Sequence, residues 1–357
     1  MSSNLPRGGF AEGKRGKEEK VNSRKRMMSK LRINLACGDY DRTRALREGV
    51  VKVEGIDLNY IALKPEEIFW RMFQHEEFNA SELSMSGYMV ERSRGVHRFT
   101  ALPVFPSRMF RHSCIYVNSE SGVKEPEDLK GKAVGVPEYH MTAALWVRGL
   151  LQHEYGVKPS DVIWRTGGQE QPGRKERIEL RLPPEIVVEP LSEHETLNGM
   201  LETGEIPALI SPRMPAAMTK NDPRVKRLFP NYRELEEQYY KKTRLFPIMH
   251  TVVVKESVWA ENPWAVRSLY NAFREAKDLC LKEMAETGVL KYSIPWLIPE
   301  IEREREIFGK DLWPYGLEAN RHAIEKMMQF SYEQGLAEKI LPVEELFARE
   351  TWDDFKV

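Results

Sequence analysis

The sequence predicts an α/β protein of two lobes, with mixed sheets, a two-strand hinge and a helical C-terminal region. Three observations carry this expectation. The 357 residues exceed what one hydrophobic core usually serves. Short apolar strands alternate with helical stretches over the first half of the chain, which is the pattern of βα units and parallel pairing. Two longer extended segments, CIYVNS from Cys114 and TVVVKE from Thr251, bracket residues 119–250 and read as a hinge around an inserted lobe. The lobes are accordingly placed at 31–118 plus 250–357 and at 119–249.

LRINLACG from Leu31 is a strand ending in small residues, and DYDRTRALREG after it suits a turn and a first helix. IDLNYIAL from Ile56 is the second strand. Lys64-Pro65-Glu66-Glu67 then opens a helix, with proline early and acids near the positive end. FNASEL reads as a strand, and the serines of SMSGYMVERSRG suit a helix cap. After the long extended segment from Thr100, KAVGV is a strand, PEYHMT a loop, and AALWVRGLLQHEYG a helix stopped at Gly156. PALISPR gives a further strand and loop. Residues 166–188 are polar, with an internal proline, glycine and charge run, and are expected to form a surface excursion. The helices from Asn262 and Asn320 carry apolar residues at three and four spacing.

Composition excludes several classes of function. Lys+Arg and Asp+Glu are both 54, so no global charge favours nucleic acid or membrane phosphates. No stretch approaches the roughly 18 apolar residues of a membrane helix. Cys37, Cys114 and Cys280 fit neither a zinc site nor a disulfide framework and suit a reducing compartment. Residues 1–30 are basic without an apolar run, which reads as a disordered tail, with Met27 or Met28 an alternative start, rather than an export signal. A cytoplasmic location is therefore expected, and a homo-oligomer is compatible with the sequence. GxGxxG and GKS/T phosphate loops are missing, and no HxH or HxxxH spacing supports a metal.

"LRINLACGDYDRTRALREGVVKVEGIDLNYI", "FNASELSMSGYMVERSRG", "LPVFPSRMFRHSCIYVN" and "LFPIMHTVVVKESVW" together resemble the 4,5-dihydroxyphthalate decarboxylase family. The resemblance runs from about Met28 to the C-terminus. "EPEDLKGKAVGVPEYHMTAALWVRGLL" after a hinge-like strand is similar to the type II fold of periplasmic binding proteins. The resemblance implies a carboxy-lyase of phthalate degradation that needs no cofactor and binds a small aromatic dicarboxylate. Each carboxylate of 4,5-dihydroxyphthalate is para to a phenol. Deprotonating that phenol drives electron density to the carbon that is protonated before CO2 leaves, in a site closed to water.

Candidate residues follow from the loops at strand ends, where the crevice of such a sheet lies. Arg42, Arg44, Arg108, Arg111 and Arg213 are candidates to hold carboxylates by paired hydrogen bonds. His112, His140 and His250 are candidate acid/base groups, and Glu82 either orients a histidine or takes the phenolic proton. Tyr40, Tyr88, Phe110, Tyr139, Met141 and Phe246 are candidates to stack on a ring and exclude water. Convergence of Glu82 with the three histidines on a metal is the competing chemistry, and no metal is expected. The competing function is a cytoplasmic binding or sensor protein for an aromatic carboxylate. Pyrimidine synthases on the same fold need a cysteine-rich motif that this chain does not contain.

Overall fold

The computed structural model describes Met1 and residues 30–352, so the expected basic tail lies almost wholly outside the described residues. In chain order the strands are β1 (Leu31–Cys37), β2 (Ile56–Ala62), β3 (Ala80–Ser84), β4 (Phe99–Arg108), β5 (Ile115–Asn118), β6 (Ala133–Val136), β7 (Ile163–Thr166), β8 (Val188–Pro190), β9 (Ala208–Ile210), β10 (Val225–Arg227) and β11 (Ile248–Lys255). They form two sheets, ordered β2-β1-β3-β11-β4 and β10-β5-β9-β6-β7-β8. Both are mixed: β1 runs parallel to β2 and β3, whereas β11 is antiparallel to β3 and β4. The architecture is the two-lobed α/β arrangement expected from the sequence.

The extended segment from Thr100 is divided rather than continuous. It ends one sheet as β4, passes through a 3-10 turn at His112–Cys114, and enters the other sheet as β5. Strand Ile115–Asn118 thus pairs within the second sheet, and we propose lobe boundaries at the two crossings, 109–114 and 244–247. The run after β1 forms only a 3-10 turn, Asp41–Thr43, and one helical turn, Arg44–Arg47.

Local chemistry explains the elements that position the site. Helix Pro65–His75 has proline in its first turn with Glu66 and Glu67. Helix Met85–Ser93 is capped by Ser84, whose Oγ accepts from Gly87 N at 3.3 Å. Helix Thr142–Tyr155 stops at Gly156, which has φ +65°. Strand β3 is buried throughout even though it reads ASELS, so two serine hydroxyls and one carboxylate sit inside the fold.

Strand β4 contains Pro103 and Pro106, which have no N–H to give to β11, and the register between the two strands shifts on either side of His250. The carbonyls freed by that irregularity find other donors. Gly316 N donates to Pro103 O, Trp313 Nε1 to Phe105 O, and the Arg42 guanidinium to Pro106 O. The broken ladder therefore presents His250 and also docks the chain around residue 315.

A continuous apolar core runs through both sheets, with a smaller cluster around Tyr116, Leu197 and Leu209. Helices Thr142–Tyr155 and Arg321–Glu333 meet at Gly149, where an added Cβ would lie 2.1 Å from the Phe330 ring. Gly149→Ala is expected to overpack this contact and to lower stability by about 1–3 kcal/mol. A urea midpoint equal to wild type would show that the helices separate freely.

Candidate active site

Glu82 lies on β3 and His250 on β11. In the antiparallel register Ser84 faces His250 and Glu82 faces Val252, so Glu82 and His250 are diagonal neighbours on one face. His250 Nδ1 is 2.5 Å from Glu82 Oε1, which also accepts from Tyr40 Oη at 2.6 Å. Oε2 accepts from Gly38 N at 2.8 Å and faces Cys37 Sγ at 3.7 Å. Gly38 is required here, because a Cβ would come within 2.6 Å of the Tyr40 ring and 3.2 Å of Glu82 Oε2.

Burial alone would raise the Glu82 carboxyl. The facing His250 and the hydrogen bonds from His250, Tyr40 and Gly38 outweigh it and hold the group below the usual carboxylate range. Burial, reinforced by the Glu82 charge, pushes the Tyr40 phenol far up. An ionised carboxylate only accepts, so the Nδ1 proton belongs to His250, and in the neutral form of the ring Nε2 is the acceptor. Glu82 is fully buried, whereas 18% of the His250 side chain is exposed. Among the described residues Nε2 has no hydrogen-bond partner. The histidine therefore faces outward, and the carboxylate behind it orients it.

The second lobe supplies the opposite wall. Glu138, His140 and Met141 follow β6, with Met141 at the start of helix Thr142–Tyr155. His140 is enclosed by two carboxylates, with Nδ1 2.5 Å from Glu176 and Nε2 3.2 Å from Glu138. Glu138 also accepts from Arg174 at Oε1 (2.6 Å) and from Arg177 at Oε2 (2.9 Å). Its burial is more than offset by His140, Arg177 and Arg174, so its carboxyl is held low. Glu138, His140 and Glu176 offer ligand atoms within 4.8 Å of one another, a set able to approach a cation. Both Glu138 oxygens are already taken by guanidinium groups, however, and those two positive charges oppose a dication.

The lobes meet through Glu66 of helix Pro65–His75, which pairs with Arg174 at 3.3 Å and with Arg213 at 2.5 Å. Arg177 lies 5.7 Å from the Phe69 ring centre, and Phe69 meets the His250 ring edge-on at 4.9 Å. A cavity of about 380 Å³ is lined by Glu66, Met141, Gln169, Arg174, Ser211 and Arg213, among others. Segment 166–188, expected as a surface excursion, instead folds Arg174, Glu176 and Arg177 into this interface. The alternating charges of GRKER carry the only sequence signal for them, and Glu138 is signalled only by its place two residues before His140.

Other expected site residues lie elsewhere. Arg108 is buried and donates to the carbonyls of Phe246 and Pro314 and to Asn320 Oδ1; burial lowers its pKa to about 9. Arg111 is buried among sulfur atoms, with Nε 3.1 Å from Met249 Sδ. His112 packs edge-on against Phe229 and Tyr239, and burial lowers its pKa to about 4. Arg42 is held by Asp41 and Pro106 O, and Arg44 is a surface group near Glu48 and Glu283. Tyr88 and Tyr139 are core residues whose hydroxyls donate to Leu346 O and Gln334 O. Phe110 and Phe246 stack on each other at 5.0 Å away from the histidines. The structure thus brings together Tyr40, Glu82 and His250 in one group, and His140, Met141 and Arg213 in the facing one.

A protein named 4,5-dihydroxyphthalate decarboxylase from Comamonas testosteroni is 39% identical over 330 residues, which span 92% of this chain and 100% of that protein. The chain belongs to the 4,5-dihydroxyphthalate decarboxylase family. A protein of the same name from Pseudomonas putida is 44% identical over 215 residues, covering 60% of this chain and 83% of the relative. No family model matches. Among solved structures, the periplasmic aliphatic sulphonate binding protein SsuA from Escherichia coli aligns with a TM-score of 0.51 at 12% identity, over 90% of this chain and 98% of that one. The putative sulfonate-binding SsuA of Methylobacillus flagellatus KT aligns with a TM-score of 0.52 at 14% identity, over 90% and 92%. These likenesses show the fold of this decarboxylase-family chain, with its two lobes and mixed sheets. No helix among the described residues is long and apolar enough to cross a membrane.

Proposed function

We propose that this protein decarboxylates 4,5-dihydroxyphthalate, or a closely related hydroxylated phthalate, to protocatechuate and CO2 as a step of aromatic degradation. The observation that carries the reading is the His250–Glu82–Tyr40 group in a chain of this family. His250 Nε2 accepts the phenolic proton, and the buried Glu82 carboxylate stabilises the imidazolium that forms. Electron density moves to the para ring carbon, and a solvent-derived proton adds there. The C–C bond to the carboxylate then breaks to release CO2 and leave its electron pair in the ring as a phenolate, and His250 returns the phenolic proton. His140 has both ring nitrogens facing carboxylates, so it suits positioning of the second lobe's wall better than proton delivery.

A cytoplasmic location accompanies this reading, and the three described cysteines are free and buried. The assay is direct: purified protein is incubated with 4,5-dihydroxyphthalate while CO2 and protocatechuate are followed. Binding without either product would leave the sensor function instead. Turnover is expected to be unchanged by a chelator, because Arg174 and Arg177 occupy Glu138. Activity lost to the chelator and restored by one divalent ion would make Glu138, His140 and Glu176 a metal centre.

A further inference from the structure

A second cavity, of about 680 Å³, lies beside the crossing at 109–114. It is bounded by helices Tyr232–Thr243, Pro263–Met284 and Leu297–Phe308 and opens to the surface beside Met109 and Ile294. Its aromatic wall is continuous: Phe110 stacks on Phe246 at 5.0 Å, Phe308 packs on Phe246 at 5.3 Å, and Trp313 meets Phe246 edge-on at 5.5 Å. Helix Leu297–Phe308 lines one wall of the cavity with Leu297 and Ile301. Ion pairs from Arg233 to Glu300 and from Arg303 to Glu237 hold this helix to Tyr232–Thr243.

Most charges lining the cavity are balanced. Arg42 pairs with Asp41, Lys277 with Asp311, and Arg233 with Glu300. Two are not. Arg108, only 6% exposed, has neutral acceptors alone and no carboxylate within ion-pair distance among the described residues. Glu236 accepts from His112 N and Ser113 N, and the nearest ionisable nitrogen is His112 Nδ1 at 3.8 Å. Flat apolar walls between an unbalanced cation and an unbalanced acceptor call for a planar ring with a carboxylate at one edge and a hydroxyl at another.

We propose that this cavity is a second binding site for a hydroxylated aromatic carboxylate, separate from the cleft that holds His250. The site adjoins the catalytic group through Arg42, whose guanidinium lies 4.1 Å from the Trp313 ring and 4.5 Å from the Tyr40 ring. Tyr40 in turn donates to Glu82. Occupancy at Trp313 therefore bears on the residue that fixes His250, and a ligand there acts as a non-competitive inhibitor of turnover. The chemical class rests on the cavity's own polar groups, while the test ligand is chosen from the proposed reaction.

The test is a calorimetric titration of 3,4-dihydroxybenzoate into the full chain and into Ile301→Trp, which fills the cavity from that helix and touches no residue of the His250 group. Wild type should bind two equivalents. Ile301→Trp should bind one, with at least a tenfold loss of affinity for the other, while keeping its turnover and losing the non-competitive component of inhibition. The milder Leu297→Phe serves if Ile301→Trp does not fold. A single equivalent in wild type, unchanged in the folded variant, overturns the second site. Loss of turnover together with binding in the folded variant also overturns it, because the cavity would then be the reaction's own. Absence of CO2 release by wild type refutes the decarboxylase reading instead, and the stoichiometry still decides the cavity.

Discussion

Replacing His250 with alanine is expected to lower kcat by about 10²–10⁴-fold with little change in KM. The side chain is the exposed end of a buried group, so its removal takes away the proton acceptor and leaves the substrate's other contacts in place. Glu82→Gln should also depress kcat and should cost stability as well. All four groups facing the carboxylate, His250 Nδ1, Tyr40 Oη, Gly38 N and Cys37 Sγ, are placed to donate. An amide must turn its NH2 toward one donor pair, whichever way it flips. The pH dependence has a definite sign. The folded carboxyl is held below its ordinary value, so the stability it contributes is complete above the unfolded pKa and is lost as pH falls through the folded one. In Glu82→Gln this acid-side loss should shrink. Wild-type kcat in His250→Ala would remove the histidine from the chemistry.

Arg108→Ala is expected to be mainly a folding defect, with a stability loss on the order of 3–5 kcal/mol. The guanidinium ties β4 to the residues before β11 through Phe246 O and to the C-terminal region through Pro314 O and Asn320. Truncation leaves those acceptors buried and unpaired. The sequence makes this arginine a candidate to hold a substrate carboxylate, a role in which binding would suffer more than folding. Denaturant midpoints measured beside ligand affinity separate the two: a wild-type midpoint with weakened binding would return Arg108 to the substrate.

The difference between these two residues shows what the sequence made legible. Glu82 was readable because a carboxylate in the short strand ASEL is anomalous, and His250 because it interrupts the apolar run of β11. For Arg108 the sequence shows the charge and not the carbonyls that surround it. Phe110, Phe246, Tyr88 and Tyr139 were readable as aromatic, while the face each presents depends on irregular backbone around prolines and turns. The wall formed by Glu138, Arg174, Glu176 and Arg177 was hidden for another reason. Its members come from two loops joined only in the folded lobe, and a polar proline-containing segment has no periodicity to announce burial. β7, β8 and β10 are three or four residues long, too short for alternation to register.

The place of β11 between β3 and β4 also sets an order of events during synthesis. Strands β1 to β3 leave the ribosome early, but their sheet gains its fourth and fifth members only after residue 255 has been made. Among the described residues the other strand that β4 pairs with is β11, and the single bridge of β4 from Ala101 to Phe347 comes later still. Every strand of the second sheet is complete by Arg227. The inserted lobe can therefore close while the lobe that began first is still open along β3, with the buried carboxylate of Glu82 waiting for its histidine. The unpaired edge of β3 is exposed for the time taken to translate some 170 residues, on the order of ten to thirty seconds. This interval, rather than the finished fold, is when the chain is most open to pairing with another copy of itself.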